Sequence, residues 1–483
     1  MCTCSAALIL TAAALSATTA AFASGLRIYS QTVDLTFDTP EAAAQATLNV
    51  LPLPPGKSVA FSSRWDDTNP DHVKMVKTLG AHGCKGTFYL NSVNDAYADS
   101  AIRTMIESGC SIGAHTLKHP NLTTLKPNGI FKAIMASRIA LESAGQVCVN
   151  SFTLPYCAYT KKDDPEMPRL IGECLIRSGL LGSPEYWPDV ASRYGLSTNQ
   201  WVGGFTFSID DRNPNPERYS SAIAKGLASI EGRGLECGPH LVLGIHTWQK
   251  TDENFARLGE IVATTANRPG WWYCNESEYV AYRIQMLNST ITRSGVNGKT
   301  ARFTLTRATP AELGDTAALG LKASAVPRGV SLDGGAAFAT APDGSFLLPH
   351  SATQQIPTRM AALGNPNNDS SLREQQAVPG LLLGLHVSPD KNTLCVLLKN
   401  SASADIKSLD LTIRLPPAWK QGVVRKELGS VKAGADQRVE LPLGDKRAGF
   451  DDPADLYFVA QCDVRDAAGA ARIYLSTEFG AAP

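Results

Sequence analysis

Val59-Ala-Phe-Ser-Ser-Arg-Trp-Asp-Asp67 is a strand-like run that ends on two carboxylates, and downstream Gly113-Ala-His-Thr-Leu-Lys-His-Pro120 carries two histidines four residues apart. One helical turn would put His115 and His119 on the same side, close enough to share an ion. Imidazole nitrogens bind zinc at about 2.0–2.1 Å, and one carboxylate completes a three-ligand site with a position left open for water. The two stretches together read as a metal site with an adjacent base.

Around them, from residue 57 to about 287, short β-rich runs alternate with helical ones, the pattern of βα units on a parallel sheet. Strands are expected at 59–62, 87–90, 110–114, 151–154 and 240–245, and helices at 71–79, 99–107, 130–141, 166–178 and 254–265. Such units suit a β/α barrel or an open doubly wound sheet. Asp66, Asp67, His115, His119, Tyr156 and His246 each follow a strand end, which favours the barrel, whose active sites gather on that rim.

After residue 287 the pattern turns to alternating strands. Val296-Asn-Gly-Lys299 predicts a hairpin between 289–293 and 301–306. Leu409, Leu411, Ile413 and Leu415 alternate with Asp410, Thr412 and Arg414, as in a half-buried antiparallel strand. A last hairpin joins 456–463 to 472–477, and the whole reads as an all-β sandwich of immunoglobulin-like type. The expected organisation is a signal peptide at 1–23, a lead-in segment at 24–56, the β/α barrel at 57–287 and the sandwich at 288–483.

A chain of 483 residues exceeds one hydrophobic core. Its 45 Lys and Arg balance 45 Asp and Glu, so charge gives no case for nucleic acid, and a neutral glycan is the more natural partner. The apolar Ala6–Leu15 stretch and Ala21-Phe-Ala23 fit a signal peptide cut before Ser24, which places the mature protein outside the cell or in the periplasm or cell envelope. No other stretch approaches the ~20 apolar residues of a membrane span. Of eleven cysteines, Cys2 and Cys4 leave with the signal, and the remaining odd number shows no C-x-x-C spacing. Cys84, Cys110, Cys148 and Cys174 fall on apolar faces and read as small buried hydrophobes. Oligomeric state has no sequence signature here.

Residues 55–285 resemble the polysaccharide deacetylases of NodB-homology type, carbohydrate esterase family four. Phe61-Ser-Ser-Arg-Trp-Asp-Asp67 is similar to that family's first motif, normally Thr-Phe-Asp-Asp, and His115-Thr-Leu-Lys-His-Pro120 fits its second, H-[ST]-x-x-H-P. Leu154-Pro-Tyr156 resembles the third, R-x-P-[FY], and Leu241-Val-Leu-Gly-Ile-His246 the fifth, while Gly86-Thr-Phe-Tyr-Leu-Asn91 is typical of the family's second strand. The resemblance implies one divalent ion held by Asp67, His115 and His119, zinc ahead of cobalt, nickel or manganese. It also implies Asp66 as general base, His246 as general acid, the Tyr156 backbone N–H as oxyanion donor, and Pro155 and Trp248 at the substrate. The activity implied is removal of N- or O-linked acetyl groups from a glycan. Two departures stand out: Thr153 occupies the place of the third motif's arginine, which in the family braces the catalytic aspartate, and Asp210 and Asp211 are the nearest counterparts of the fourth motif, D-x-x-D-W.

Two other readings use the same residues. Gly109-Cys-Ser-Ile-Gly113 matches the serine-esterase G-x-S-x-G, but a helical run precedes it and a strand follows, the reverse of the context a nucleophile elbow needs. A glycan-binding protein with a degenerate deacetylase site is the alternative to an enzyme, motivated by Thr153.

Overall fold

The computed structural model describes residues 26–182, 205–207, 214–231, 234, 236, 238–244, 246–247, 251–310, 317–349, 356–365, 368–450 and 455–479. The expected signal peptide therefore lies outside the described residues. Two strands, β1 (Leu26–Thr36) and β2 (Leu48–Val50), come first. The α/β layer follows with β3 (Val59–Asp66), β4 (Gly86–Leu90), β5 (Ser111–Ala114), β6 (Ser151–Phe152), β7 (Leu181–Gly182), β8 (Phe205–Phe207), β9 (His240–Leu243) and β10 (Trp271–Tyr273).

These eight form one parallel sheet in the order β7-β6-β5-β4-β3-β9-β8, with β10 also on β3. The central strand, β3, is buried along its whole length, polar residues included. Burial on both faces explains why it reads as a continuous run rather than an alternation. Each expected helix is present. The expected 130–141 helix extends over Pro127–Gly145, because Pro127 pre-sets its first turn and Gln146 ends it in the left-handed region at φ 54°. β7 and β8 stand at the sheet's two edges, and no ladder joins them among the described residues. Among the described residues the α/β layer is thus a parallel sheet with two edges, where a distorted β/α barrel is the expectation.

The β part departs from the expected boundaries. Strands β11 (Ser289–Asn297) and β12 (Thr300–Pro310) form the expected hairpin, but β12 also pairs along its whole length with β1, from Thr36↔Thr300 to Leu26↔Pro310. With β13 (Leu319–Ala323), β14 (Gly329–Leu332) and β15 (Ser345–Leu348), two sheets enclose a separate core that includes Val33, Leu35, Phe303, Leu305 and Leu321. The segment 24–56 is therefore no lead-in: it supplies β1 and β2 to a unit completed some 270 positions later. The remaining strands, β16 (Arg359–Asn365), β17 (Arg373–Glu374), β18 (Leu381–Val387), β19 (Thr393–Asn400), β20 (Ile406–Arg414), β21 (Val423–Val431), β22 (Asp436–Pro442), β23 (Tyr457–Asp466) and β24 (Gly469–Glu478), build a second sandwich. Its sheets, β16-β24-β23-β20-β21 and β17-β18-β19-β22, share one core.

β20 is not half-buried. Leu409, Leu411, Ile413 and Leu415 face the sandwich core as expected, but Thr412 and Arg414 are buried too. Their face docks on the α/β layer, where Arg414 Nη1 donates to the Arg177 carbonyl at 2.8 Å. Arg177, ending the helix Met167–Arg177, donates in return to the carbonyls of Leu415 and Trp419, each at 2.9 Å. Glu142 makes the second joint: it accepts from Arg138 on its own helix at 3.0 Å, and from Arg472 at 3.3 Å and Tyr474 at 2.6 Å on β24.

Burial by itself would raise the Glu142 pKa, but the charges of Arg138 and Arg472 and the Tyr474 hydroxyl outweigh it and hold it below the ordinary 4.5. The stabilisation is thus fully present above the unfolded value of 4.5 and is lost as pH falls through the lower folded value. Glu142→Gln removes the carboxylate that buried Arg138 and Arg472 share, Arg472 keeping Asp463 at 2.7 Å, and should lower unfolding stability at pH 7 by about 3 kcal/mol in urea titration. The gap between wild type and variant should narrow below pH 4.5.

Candidate active site

The site is built at the C-terminal ends of β3, β5, β6 and β9. β3 delivers Asp66 into the interior, 5% exposed, and Asp67 then turns left-handed at φ 67°. That turn sends two consecutive carboxylates in different directions. β5 ends at Ala114 and places His115 next. The stretch from His115 to His119 is not the helical turn expected from the spacing: it is a loop, with Thr116, Lys118 and His119 at φ of 64°, 66° and 50°. Local backbone coiling, rather than helix periodicity, brings the His119 Nε2 within 3.1 Å of the His115 Nε2.

Asp67 Oδ1 lies 3.6 Å from His115 Nε2 and 3.4 Å from His119 Nε2. These three groups are the one such convergence of metal-binding side chains among the described residues. The separations of 3.1–3.6 Å fit a shared ion, since a tetrahedron with arms of about 2.0–2.1 Å has edges of about 3.3–3.4 Å. Neighbouring groups hold the donors in place. His115 Nδ1 is 2.9 Å from the Thr153 carbonyl, which only accepts, so the proton sits on Nδ1 and Nε2 is left to bind a cation. Burial, the largest influence, lowers the His115 pKa and keeps the ring neutral, as a ligand must be. Asn91, just past β4, donates to Asp67 Oδ1 at 2.7 Å.

His246 reaches the same cluster from β9, its Nε2 3.5 Å from Asp67 Oδ2. Gly244 makes that approach feasible: at φ 118° it lies so close to β3 that a Cβ would meet the Arg64 carbonyl oxygen at 2.4 Å. After β6, Pro155 is buried at the start of a short turn, Pro155–Cys157. Tyr156 follows at φ 60°, the residue 66% exposed and its ring centroid 4.5 Å from that of His119. Six of the eleven non-glycine residues with positive φ among the described residues, namely Asp67, Thr116, Lys118, His119, Tyr156 and Cys157, lie in these loops. Such backbone conformations persist only where surrounding structure over-determines them, and here they concentrate around one point.

The sequence expectation for Asp66 needs correction. Asp66 does not lack an arginine: Arg64, two residues earlier on the same face of β3, donates from Nε to Oδ1 at 3.0 Å and from Nη2 to Oδ2 at 2.8 Å. Burial alone would raise the Asp66 pKa, but the Arg64 charge and hydrogen bonds outweigh it, and the net shift is downward. The signal was readable, because side chains at i and i+2 in a strand share a face. Asn91 and Gly244 were also missed as site residues, since their roles depend on partners far away in sequence. Trp248, Asp210 and Asp211 lie outside the described residues. Eight cysteines are free among the described residues, Cys84, Cys110 and Cys174 buried and Cys148 half-buried.

Residues 54–166 match the family model for polysaccharide deacetylase. Among solved structures, the chain is similar to the Xyl-CE4 domain of a multidomain xylanase from the hindgut metagenome of Trinervitermes trinervoides, at 16% identity over 47% of this chain and 91% of that one, with a TM-score of 0.33. A family 4 carbohydrate esterase from Streptomyces lividans, in complex with acetate, is 18% identical over 45% and 91% of the two chains, with a TM-score of 0.30. A family 4 acetyl xylan esterase from Clostridium thermocellum, in complex with a cobalt ion, is 16% identical over 46% and 90%, with a TM-score of 0.33. No curated protein matches. No helix among the described residues is long and apolar enough to cross a membrane.

Gly244→Ala should force β9 away from β3 and displace His246, at a stability cost above ~1 kcal/mol because the backbone conformation is one alanine disfavours. A thermal melt unchanged from wild type would refute the close approach.

Proposed function

We propose that this chain, whose residues 54–166 match the family model for polysaccharide deacetylase, is an exported, metal-dependent hydrolase that removes N- or O-linked acetyl groups from a poly- or oligosaccharide. The observation that carries this reading is the meeting of Asp67, His115 and His119 within ligand distance of one point, with Asp66 and His246 beside them. Two imidazoles and a carboxylate suit zinc, and cobalt, nickel or manganese to lesser degrees. When bound, the ion supplies Lewis acidity toward the acetyl carbonyl and lowers the pKa of a water.

The chain's own groups divide the remaining work. Asp66, held ionised by Arg64, takes the proton of the water that attacks the acetyl carbon. The Tyr156 N–H donates to the oxygen that gains negative charge. In favour of that role, the left-handed backbone at Tyr156 turns this segment out of the strand direction beside His119. His246 gives a proton to the departing sugar oxygen or nitrogen, so acetate and a free hydroxyl or amine leave together. The exposed Tyr156 ring and Pro155 border the place where the sugar would lie, and Trp248 is assigned there from the motif alone. The alternative, a glycan binder with a degenerate site, drew on Thr153; the Arg64–Asp66 pair supports the enzyme reading.

His119→Ala should lose both the bound ion, measured by elemental mass spectrometry, and acetate release from acetylated oligosaccharides. Asp66→Asn should keep the ion and lose turnover by at least ~100-fold. A metal-replete Asp66→Asn protein with full turnover would sink the mechanism, and activity indifferent to chelator would sink the metal dependence.

A further inference from the structure

We infer that Arg64 and Thr153 are an exchanged pair, with Arg64 acting as the positioning residue for Asp66 from the first motif. The inference rests on the deacetylase reading above and deepens it. In the resembled family the first motif begins with threonine and the third with arginine; here Arg64-Trp-Asp-Asp67 begins with arginine and Thr153-Leu-Pro-Tyr156 with threonine. The two changed positions touch each other. Arg64 Nη2 donates to the Thr153 hydroxyl at 2.5 Å, and both residues are buried.

The guanidinium therefore fills a slot between β3 and the end of β6 that either position can reach. Three of its contacts define the slot: the two parallel bonds to Asp66, the Thr153 hydroxyl, and the Tyr89 ring, whose centroid is 5.6 Å from the Arg64 Cζ. Tyr89 is itself held by donation from its hydroxyl to buried Glu276 at 2.6 Å. Planar, two-pronged pairing fixes a carboxylate in rotation as well as position, which a lysine point charge does not. One guanidinium, one hydroxyl and one carboxylate meet in the slot. Arg64 is 2% exposed and pairs with Asp66, so its effect passes through Asp66.

The test compares Arg64→Thr, Arg64→Lys, Thr153→Arg and the double variant Arg64→Thr/Thr153→Arg in the full chain loaded with zinc. Three readouts are taken: bound metal, kcat and KM for acetate release, and the Asp66 carboxylate orientation in crystals. Arg64→Thr should keep about one ion per chain, turn the carboxylate away, and lower kcat about 10–100-fold with little change in KM. Arg64→Lys should keep the charge yet recover kcat only in part. Thr153→Arg alone should crowd two guanidinium groups into one slot and reduce folded yield, whereas the double variant should restore both the orientation and kcat to within about tenfold of wild type. An unmoved Asp66 in Arg64→Thr, or a folded double variant no better than Arg64→Thr, overturns the inference. If the double variant does not fold, Arg64→Lys decides, full kcat with unmoved Asp66 counting against the inference. If the wild type binds metal but releases no acetate, the deacetylase reading fails, and the crystallographic orientation still decides whether Arg64 positions Asp66.

Discussion

Every side chain of the candidate site leaves the same end of one parallel sheet, and that shared direction is the constraint on which the arrangement depends. In a parallel sheet, βα connections return each strand to the same starting edge, so the residue after each strand is delivered to a common rim. Asp66 and Asp67, His115, Thr153 and His246 are far apart in sequence, yet each is a strand's last residue or a few positions beyond it. Hydrogen bonding then trims the alignment. The Thr153 carbonyl orients His115 and Asn91 orients Asp67, so donor atoms converge at 3.1–3.6 Å before any ion is considered.

Much of this was legible in the chain because the signals are local. The parallel strands are short β-rich runs, several helices carry a cap or a first-turn proline, as at Pro127, Thr251 and Asn275, and ordered motifs mark the strand ends. What was not legible depends on distance. The 3.6-residue period suggested a helix at His115–His119, while the actual turn uses left-handed residues that no periodicity announces. Arg64 lay in plain view two places before Asp66 on the same face of β3, whereas its contact with Thr153, which follows β6, depends on a residue far away in sequence. β1 alternates Val33 and Leu35 against Asp34 and Thr36, a readable strand, but nothing nearby in sequence says that its partner is β12. Likewise the polar face of β20 looked solvated because Arg414 is a polar residue, and only its pairing with the Arg177 carbonyl shows why it is buried.

The joints between layers follow a common chemistry. Arg138, Glu142, Arg472 and Tyr474 on one side, and Glu173, Arg177 and Arg414 on the other, lock the second sandwich against the outer helices. Buried ion pairs add little net stability over apolar packing, but they tolerate only one relative placement, since displacement leaves a charge unpaired in low dielectric. The long helix Pro127–Gly145 carries one of these joints and follows the loop that contains His119. A rigid brace on its outer face thus bears on the layer that holds the metal-binding loop.

The pairing of β1 with β12 has a consequence for how the chain is made. β1 precedes its partner β12 in the chain by the whole α/β layer. Until β12 is made, β1 offers an unpaired edge, and contacts so distant in sequence form slowly. The α/β layer is, in topological terms, an insertion in a β unit that closes behind it. Biogenesis of this unit is therefore obligatorily late, and a nascent chain interrupted before residue 300 carries a strand with nowhere to go.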